Sequence, residues 1–211
     1  MPDTIPAAPH RDPVHASLAL AGVLAAALLL TRLGHFGELS RLPDASWAVF
    51  FLGGLALRGT RAFAVFFGLA WLVDLAAIAL GTPADCFSPA YLFLVPAYGA
   101  LWAAGRLAGS LARSRSAVAE VPGRRLPRLA LAAATLPLAV LLAFVLSNAG
   151  VLLLGGGAAP EAADYAARVA VYLPGYLGVT LAYVGAALAL HAVAARRVLS
   201  APRAARGPGS A

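Results

Sequence analysis

With 211 residues, 61% of them hydrophobic and only 12% charged, and a mean hydropathy of +0.82, the chain is too apolar to cover itself with polar surface. That excludes a soluble globular domain and points to an integral membrane protein. The formal net charge of +7 rests on sixteen arginines and no lysine, and their distribution fits membrane orientation better than nucleic-acid binding.

Residues 1–13 read as a short, Pro-rich cytoplasmic segment of mixed charge. The apolar run that follows lasts about 20 residues, whereas a signal-peptide core has ~7–15, and no clean cleavage site follows it. It is read as a retained helix. A helix needs ~20 mainly apolar residues to cross ~30 Å of hydrocarbon, and six runs qualify: 14–33, 42–57, 62–80, 91–108, 129–154 and 169–195. The second is the shortest. Pro43 suits a first helical position, and Arg58-Gly-Thr-Arg61 ends the run abruptly, so it should form a tight hairpin with the third. Small-xxx-small pairs in the first run, Ala21/Ala25 and Gly22/Ala26, would allow close helix approach. The Arg/Ser-rich stretch 110–127 divides four runs from two, and the Pro/Gly/Ala/Arg-rich tail 200–211 is expected to be disordered. No internal repeat is visible, so an inverted-repeat transporter is not supported. The expectation is an all-α protein: one six-helix membrane domain over 14–199, with both termini cytoplasmic.

Arginine placement tests that orientation. The inner segments then hold Arg11, Arg58, Arg61, Arg106, Arg113, Arg115, Arg124, Arg125, Arg128, Arg196, Arg197, Arg203 and Arg206, and the outer ones Arg32, Arg41 and Arg168. Thirteen against three is a strong positive-inside bias.

The chemistry-bearing residues gather on the outer side. Asp74 lies within the third run, where a buried carboxylate costs several kcal/mol and faces the bundle interior or water. It serves either a ligand or proton site, or a structural bond to a neighbouring helix. Cys86, the only cysteine, sits in the polar turn Gly81-Thr-Pro-Ala-Asp-Cys-Phe-Ser-Pro-Ala90 between two apolar runs. A lone cysteine forms no intrachain disulfide, which leaves filler, nucleophile or metal ligand. Pro83 and Pro89 stiffen the turn and reduce the entropy lost on binding. A thiolate is a soft donor for copper, zinc, iron or cobalt. With no second cysteine and no Cys/His cluster, a single protein ligand suffices only where a macrocycle supplies the other donors. Phe87 and Ser88 flank the thiol, His35 lies in the first outer loop, and Asn148, Tyr91, Tyr165, Arg168 and Tyr172 complete the candidate lining. The tyrosines read equally well as an interfacial belt. His191, beside Arg196 and Arg197, is given a structural role. The templates GxSxG, HExxH and Walker are absent, and no nucleotide site is expected.

The stretch Cys86-Phe-Ser-Pro-Ala-Tyr-Leu-Phe-Leu-Val-Pro-Ala-Tyr-Gly-Ala-Leu-Trp-Ala-Ala-Gly-Arg106 resembles the central signature of BtuM, a family of vitamin B12 (cobalamin) transport proteins. So do Trp47-Ala-Val-Phe-Phe-Leu-Gly-Gly54 with Arg58, the intramembrane Asp74, and Ser147-Asn148; the resemblance covers residues 47–183. BtuM proteins are similar to the substrate-binding S-components of energy-coupling factor (ECF) transporters, which have six helices and an outward-facing vitamin site. The resemblance implies that Cys86 is an axial ligand to the cobalt of base-off cobalamin, with His35, Asp74, Tyr91 and Arg168 lining the pocket. One departure is Leu146-Ser-Asn-Ala-Gly-Val-Leu152, where an aromatic would be expected after the Asn-small pair.

The expected role is uptake of cobalamin across a bacterial cytoplasmic membrane, alone or with an ECF-type or other ATPase module, and without nucleic acid. A thiolate on cobalt weakens the ligand opposite, so slow loss of cyanide from cyanocobalamin is a secondary expectation. The alternatives are a haem-handling or thiol-redox enzyme using Cys86 and His35, or a structural subunit of a larger membrane complex.

Overall fold

Ala, Leu and Val dominate every apolar run, and in lipid a helix satisfies all its backbone N–H and C=O groups internally. A computed structural model describes residues 13–35, 42–57, 59–81, 88–113, 125–154 and 162–200. Among these it has six α-helices and no strand: α1 (Pro13–His35), α2 (Ser46–Ala56), α3 (Thr60–Ala79), α4 (Leu94–Arg113), α5 (Arg125–Leu154) and α6 (Ala162–Ser200), with a 3-10 turn at Pro89–Phe93 leading into α4. Four segments are long and apolar enough to cross a membrane: Thr60–Ala79, Pro89–Ala112, Ala134–Leu154 and Ala163–Ala194. Two shorter apolar stretches, Ser17–Arg32 and Ser46–Ala56, accompany them. The chain is thus a helical membrane protein. The expected N-terminal segment up to residue 12, the tail from 201 and the middle of the 110–127 loop lie outside the described residues.

The second run departs most from expectation. Helix α2 has 11 residues and spans only about 16 Å, and Pro43 precedes it instead of opening it. The cause is local. Asp44 Oδ1 accepts the Ser46 N–H at 2.9 Å and the Ser46 hydroxyl at 2.6 Å, which turns the chain and delays the helix to Ser46. Thr31 Oγ1 accepts the Ala45 N–H at 3.0 Å and ties this turn to α1. Residues 46–51, Gly53 and Gly54 are all buried, so this short helix is surrounded by protein.

Its main partner is α4, not α3 as the expected hairpin would have it. Glycines explain the choice. A Cβ on Gly54 would overlap the carbonyl of Trp102, and one on Gly105 would overlap the carbonyl of Phe51, so the two backbones touch only because neither residue has a side chain. Around this contact Phe50, fully buried, stacks on Tyr98 with centroids 4.2 Å apart, while Phe63 and Trp102 meet it edge-on. The small pairs in α1 contribute less: Gly22 and Ala26 are exposed, and only Ala21 and Ala25 pack against the core. Helix α5 packs along α4 and the 3-10 turn, whereas α6, interrupted by Pro174, buries little beyond Thr180 and Val184.

Replacing Gly54 or Gly105 by alanine is expected to destabilise the purified protein by more than ~2 kcal/mol, because backbone must move. Gly22→Ala, in open space on α1, should change stability by no more than ~1 kcal/mol and in the favourable direction. Thermal unfolding in detergent checks both; a Gly105→Ala protein that melts with the parent would contradict the close approach.

Candidate functional site

A guanidinium inside an apolar helix bundle costs several kcal/mol unless it is paired and hydrogen-bonded. Arg32, near the end of α1, is buried and fully engaged. Its Nε donates to Asp74 Oδ1 at 2.7 Å and its Nη2 to Asp74 Oδ2 at 2.6 Å, a bidentate pair between α1 and α3. Nη1 donates to Ser46 Oγ and to the Tyr98 hydroxyl, each at 2.9 Å, and lies 3.4 Å from Asp44 Oδ2. The Tyr91 hydroxyl donates to Asp74 Oδ2 and also receives Arg32 Nη2 at 3.3 Å. Five elements therefore meet at one charged knot.

Above the knot opens a cavity of about 610 Å³, within the ~300–1,000 Å³ usual for small-molecule sites. It collects the end of α1 (Arg32), the entry to α2 (Pro43, Asp44, Trp47), the last turns of α3 (Asp74, Ile78), the start of the α4 segment (Tyr91, Leu94, Tyr98) and Ser147 of α5. The remaining wall is one face of α6: Val171, Tyr172, Gly175, Tyr176, Val179 and Thr180. Tyr176 packs at a tilt of 30° on Trp47 with centroids 4.6 Å apart and meets Phe144 edge-on at 5.7 Å.

Of the residues singled out in the sequence, Asp74, Tyr91 and Tyr172 line this cavity. Asp74 also does what its structural reading requires, pinning α3 to α1 through Arg32. Ser88, half-buried, precedes the 3-10 turn and its carbonyl accepts the Tyr91 N–H at 2.9 Å. Asn148 Nδ2 donates to Phe144 O at 2.8 Å on its own helix, and its neighbour Ser147 reaches the cavity instead. Arg168, exposed, and Tyr165, half-buried, lie on α6 beyond Tyr172 and do not line the cavity. His35 is the last residue of α1, and its side chain lies outside what is described, as do Cys86, Phe87 and Arg58 altogether. Gly81 and Ser88, the described residues on either side of 82–87, are each three residues from a cavity-lining side chain, Ile78 and Tyr91.

Arg32, counted with the outer arginines by sequence, is instead built into the bundle. Asp44, Ser46 and Tyr176 are site residues that sequence reasoning misses, while Tyr98, which the sequence offers only as one of the belt-like tyrosines, lines the cavity. The available signal is charge inside a run: Arg32 and Asp74 each fall near the C-terminal end of an apolar segment, at matching depth in α1 and α3. The missing aromatic of α5 has a steric reason. Gly150 lies against the Ala90 carbonyl and the Phe93 side chain, so a ring at that position would displace the 3-10 turn. No protein-family model matches the chain, and no curated protein matches it significantly.

Truncating one partner of the buried pair, Arg32→Leu or Asp74→Leu, should cost ~3–5 kcal/mol by stranding the other charge. The double variant Arg32→Leu/Asp74→Leu should recover much of that loss, read as melting temperature and yield in detergent. Singles that melt like the parent would show that the knot does not hold the helices.

Proposed function

We propose that the chain binds cobalamin at the outer face of a bacterial cytoplasmic membrane and mediates its uptake, with Cys86 as an axial cobalt ligand in a base-off complex. The observation that carries the reading is that Ile78 and Tyr91, three residues from Gly81 and Ser88 at the borders of the cysteine-bearing segment 82–87, both line a cavity with an aromatic wall and a polar floor. Cobalamin is the substrate, and its corrin brings four nitrogens, so one protein sulfur completes what the sequence offers. The rest of the cavity suits such a ligand, since Trp47, Tyr172 and Tyr176 supply flat apolar surface, and Tyr91 and Asp44 supply hydrogen-bonding groups.

The topology proposed with it has six crossings and both termini cytoplasmic. Arg61 at the start of α3, Arg106 late in α4 and Arg196 near the end of α6 lie toward the end of the bundle opposite the cavity, in keeping with positive-inside orientation. Energy for release into the cell comes from a partner ATPase module of ECF or other type, or the protein acts without one. When bound, the thiolate donates electron density to cobalt and weakens the ligand on the far face. Slow decyanation of cyanocobalamin then accompanies transport, while the protein's part is to present the sulfur and exclude the nucleotide base.

Protein purified with cobalamin should show corrin absorbance shifted from that of the free vitamin. Cys86→Ala and Cys86→Ser should abolish the shift and weaken binding at least tenfold. A Soret band in place of corrin bands would favour a haem protein, and an unchanged spectrum in both variants would remove the cysteine from the site. A membrane-impermeant thiol reagent should label Cys86 from outside intact cells, and bound cobalamin should block that labelling.

A further inference from the structure

Among the described residues, the charge that the cavity presents to an entering ligand is negative, although the chain as a whole is basic. Among the described residues lining it, the charged groups are Arg32, Asp44 and Asp74, one positive against two negative. Arg32 is not available to a ligand: its Nε, Nη1 and Nη2 all donate within the protein, and its side chain is 7% exposed. Asp74, at 2%, is closed off by Arg32 and Tyr91. Asp44 is different. Its Oδ1 holds the Ser46 N–H and hydroxyl, but among the described residues Oδ2 has only the 3.4 Å contact to Arg32, at the long end of hydrogen bonding, and the side chain is 27% exposed.

Two of the neutral polar groups, Ser147 and Thr180, lean the same way, while Trp47, Tyr172 and Tyr176 keep groups able to donate. Ser147 Oγ donates to Phe144 O at 3.0 Å and Thr180 Oγ1 donates to Tyr176 O at 2.7 Å, so both hydroxyl protons are spent on their own helices. Each offers a ligand only lone pairs. Among the described residues the wall thus holds one carboxylate more than it holds cations, in surroundings of low dielectric that strengthen its effect on a ligand.

We infer that Asp44 is the specificity-determining charge of this cavity, favouring ligands that present amide N–H groups or positive charge and rejecting carboxylates. This rests on the corrinoid reading and refines it: the accepted class is the corrinoid with a carboxamide periphery, and its partly hydrolysed acids and the dicarboxylate porphyrins are excluded. The mechanism is a pairing of donors with acceptors for the one and like-charge repulsion for the other.

The test titrates the full-length protein in detergent with an amide-bearing corrinoid and with the same corrinoid in which one carboxamide is hydrolysed to a carboxylate. The parent should prefer the amide by about tenfold or more, with the gap narrowing at high salt. Asp44→Asn keeps an oxygen for the Ser46 N–H and should bring the two ligands within about threefold; Asp44→Ser, which also keeps a capping oxygen, serves as the second variant. Equal binding of both ligands to the parent, or a gap that persists in both variants, would overturn the inference and leave the corrinoid reading standing. Failure of either corrinoid to bind would overturn that reading instead, and a porphyrin diamide against its dicarboxylate then decides the charge preference by itself.

Discussion

The bidentate pair between Arg32 and Asp74 is the constraint on which the rest of the architecture depends. In water an exposed ion pair contributes little, but inside a bundle there is no water to replace a lost partner, so any rearrangement that separates the two charges is costly. The pair therefore fixes the end of α1 against α3. Through Ser46, Tyr98 and Tyr91 the same guanidinium and carboxylate fix the start of α2 and the α4 segment. The hydrophobic effect gives little direction to helix association in lipid, and this knot supplies the direction.

The cavity follows from that arrangement together with the shortness of α2. A helix of 11 residues reaches about half way across ~30 Å of hydrocarbon. The Asp44 turn decides at which end the shortfall appears, because it starts the helix late, and Pro43, Asp44 and Trp47 line the space left at that end. Close contact of α2 with α4 through Gly54 and Gly105 then prevents α2 from sliding outward to fill it. Binding space and helix packing are two results of one local decision by the chain.

Much of this is legible in the amino acids and some is not. Long apolar runs of Ala, Leu and Val announce helices at nearly the right places, since in lipid there is little competition from other structure. The start of α2 is not legible, because it hangs on side-chain bonds from Asp44 and Thr31 that cross between elements. The pairing of α2 with α4 escapes notice because small residues are so common here that Gly22 and Ala26 look as promising as Gly54 and Gly105; only packing separates them. Asp74 stands out as a charge in an apolar run, while Arg32, equally intramembrane, is easily absorbed into a count of loop arginines. Tyr91 and Tyr172 do line the cavity, whereas Asn148 turns to its own backbone, a competition that spacing does not reveal.

The walls of the cavity are held unequally. Helices α1 to α5 are tied by the charged knot and the glycine contacts, but α6 is nearly all exposed around its cavity face, and Pro174 removes a backbone hydrogen bond in the middle of that face. Gly175 beside it has open space where a side chain would be. The wall that moves at least cost is therefore the one bearing Tyr172 and Tyr176. For any ligand that the cavity takes, residence time and depth of burial are for this reason separate properties: the rigid floor would govern how well it is held, and the N-terminal half of α6 how long it stays.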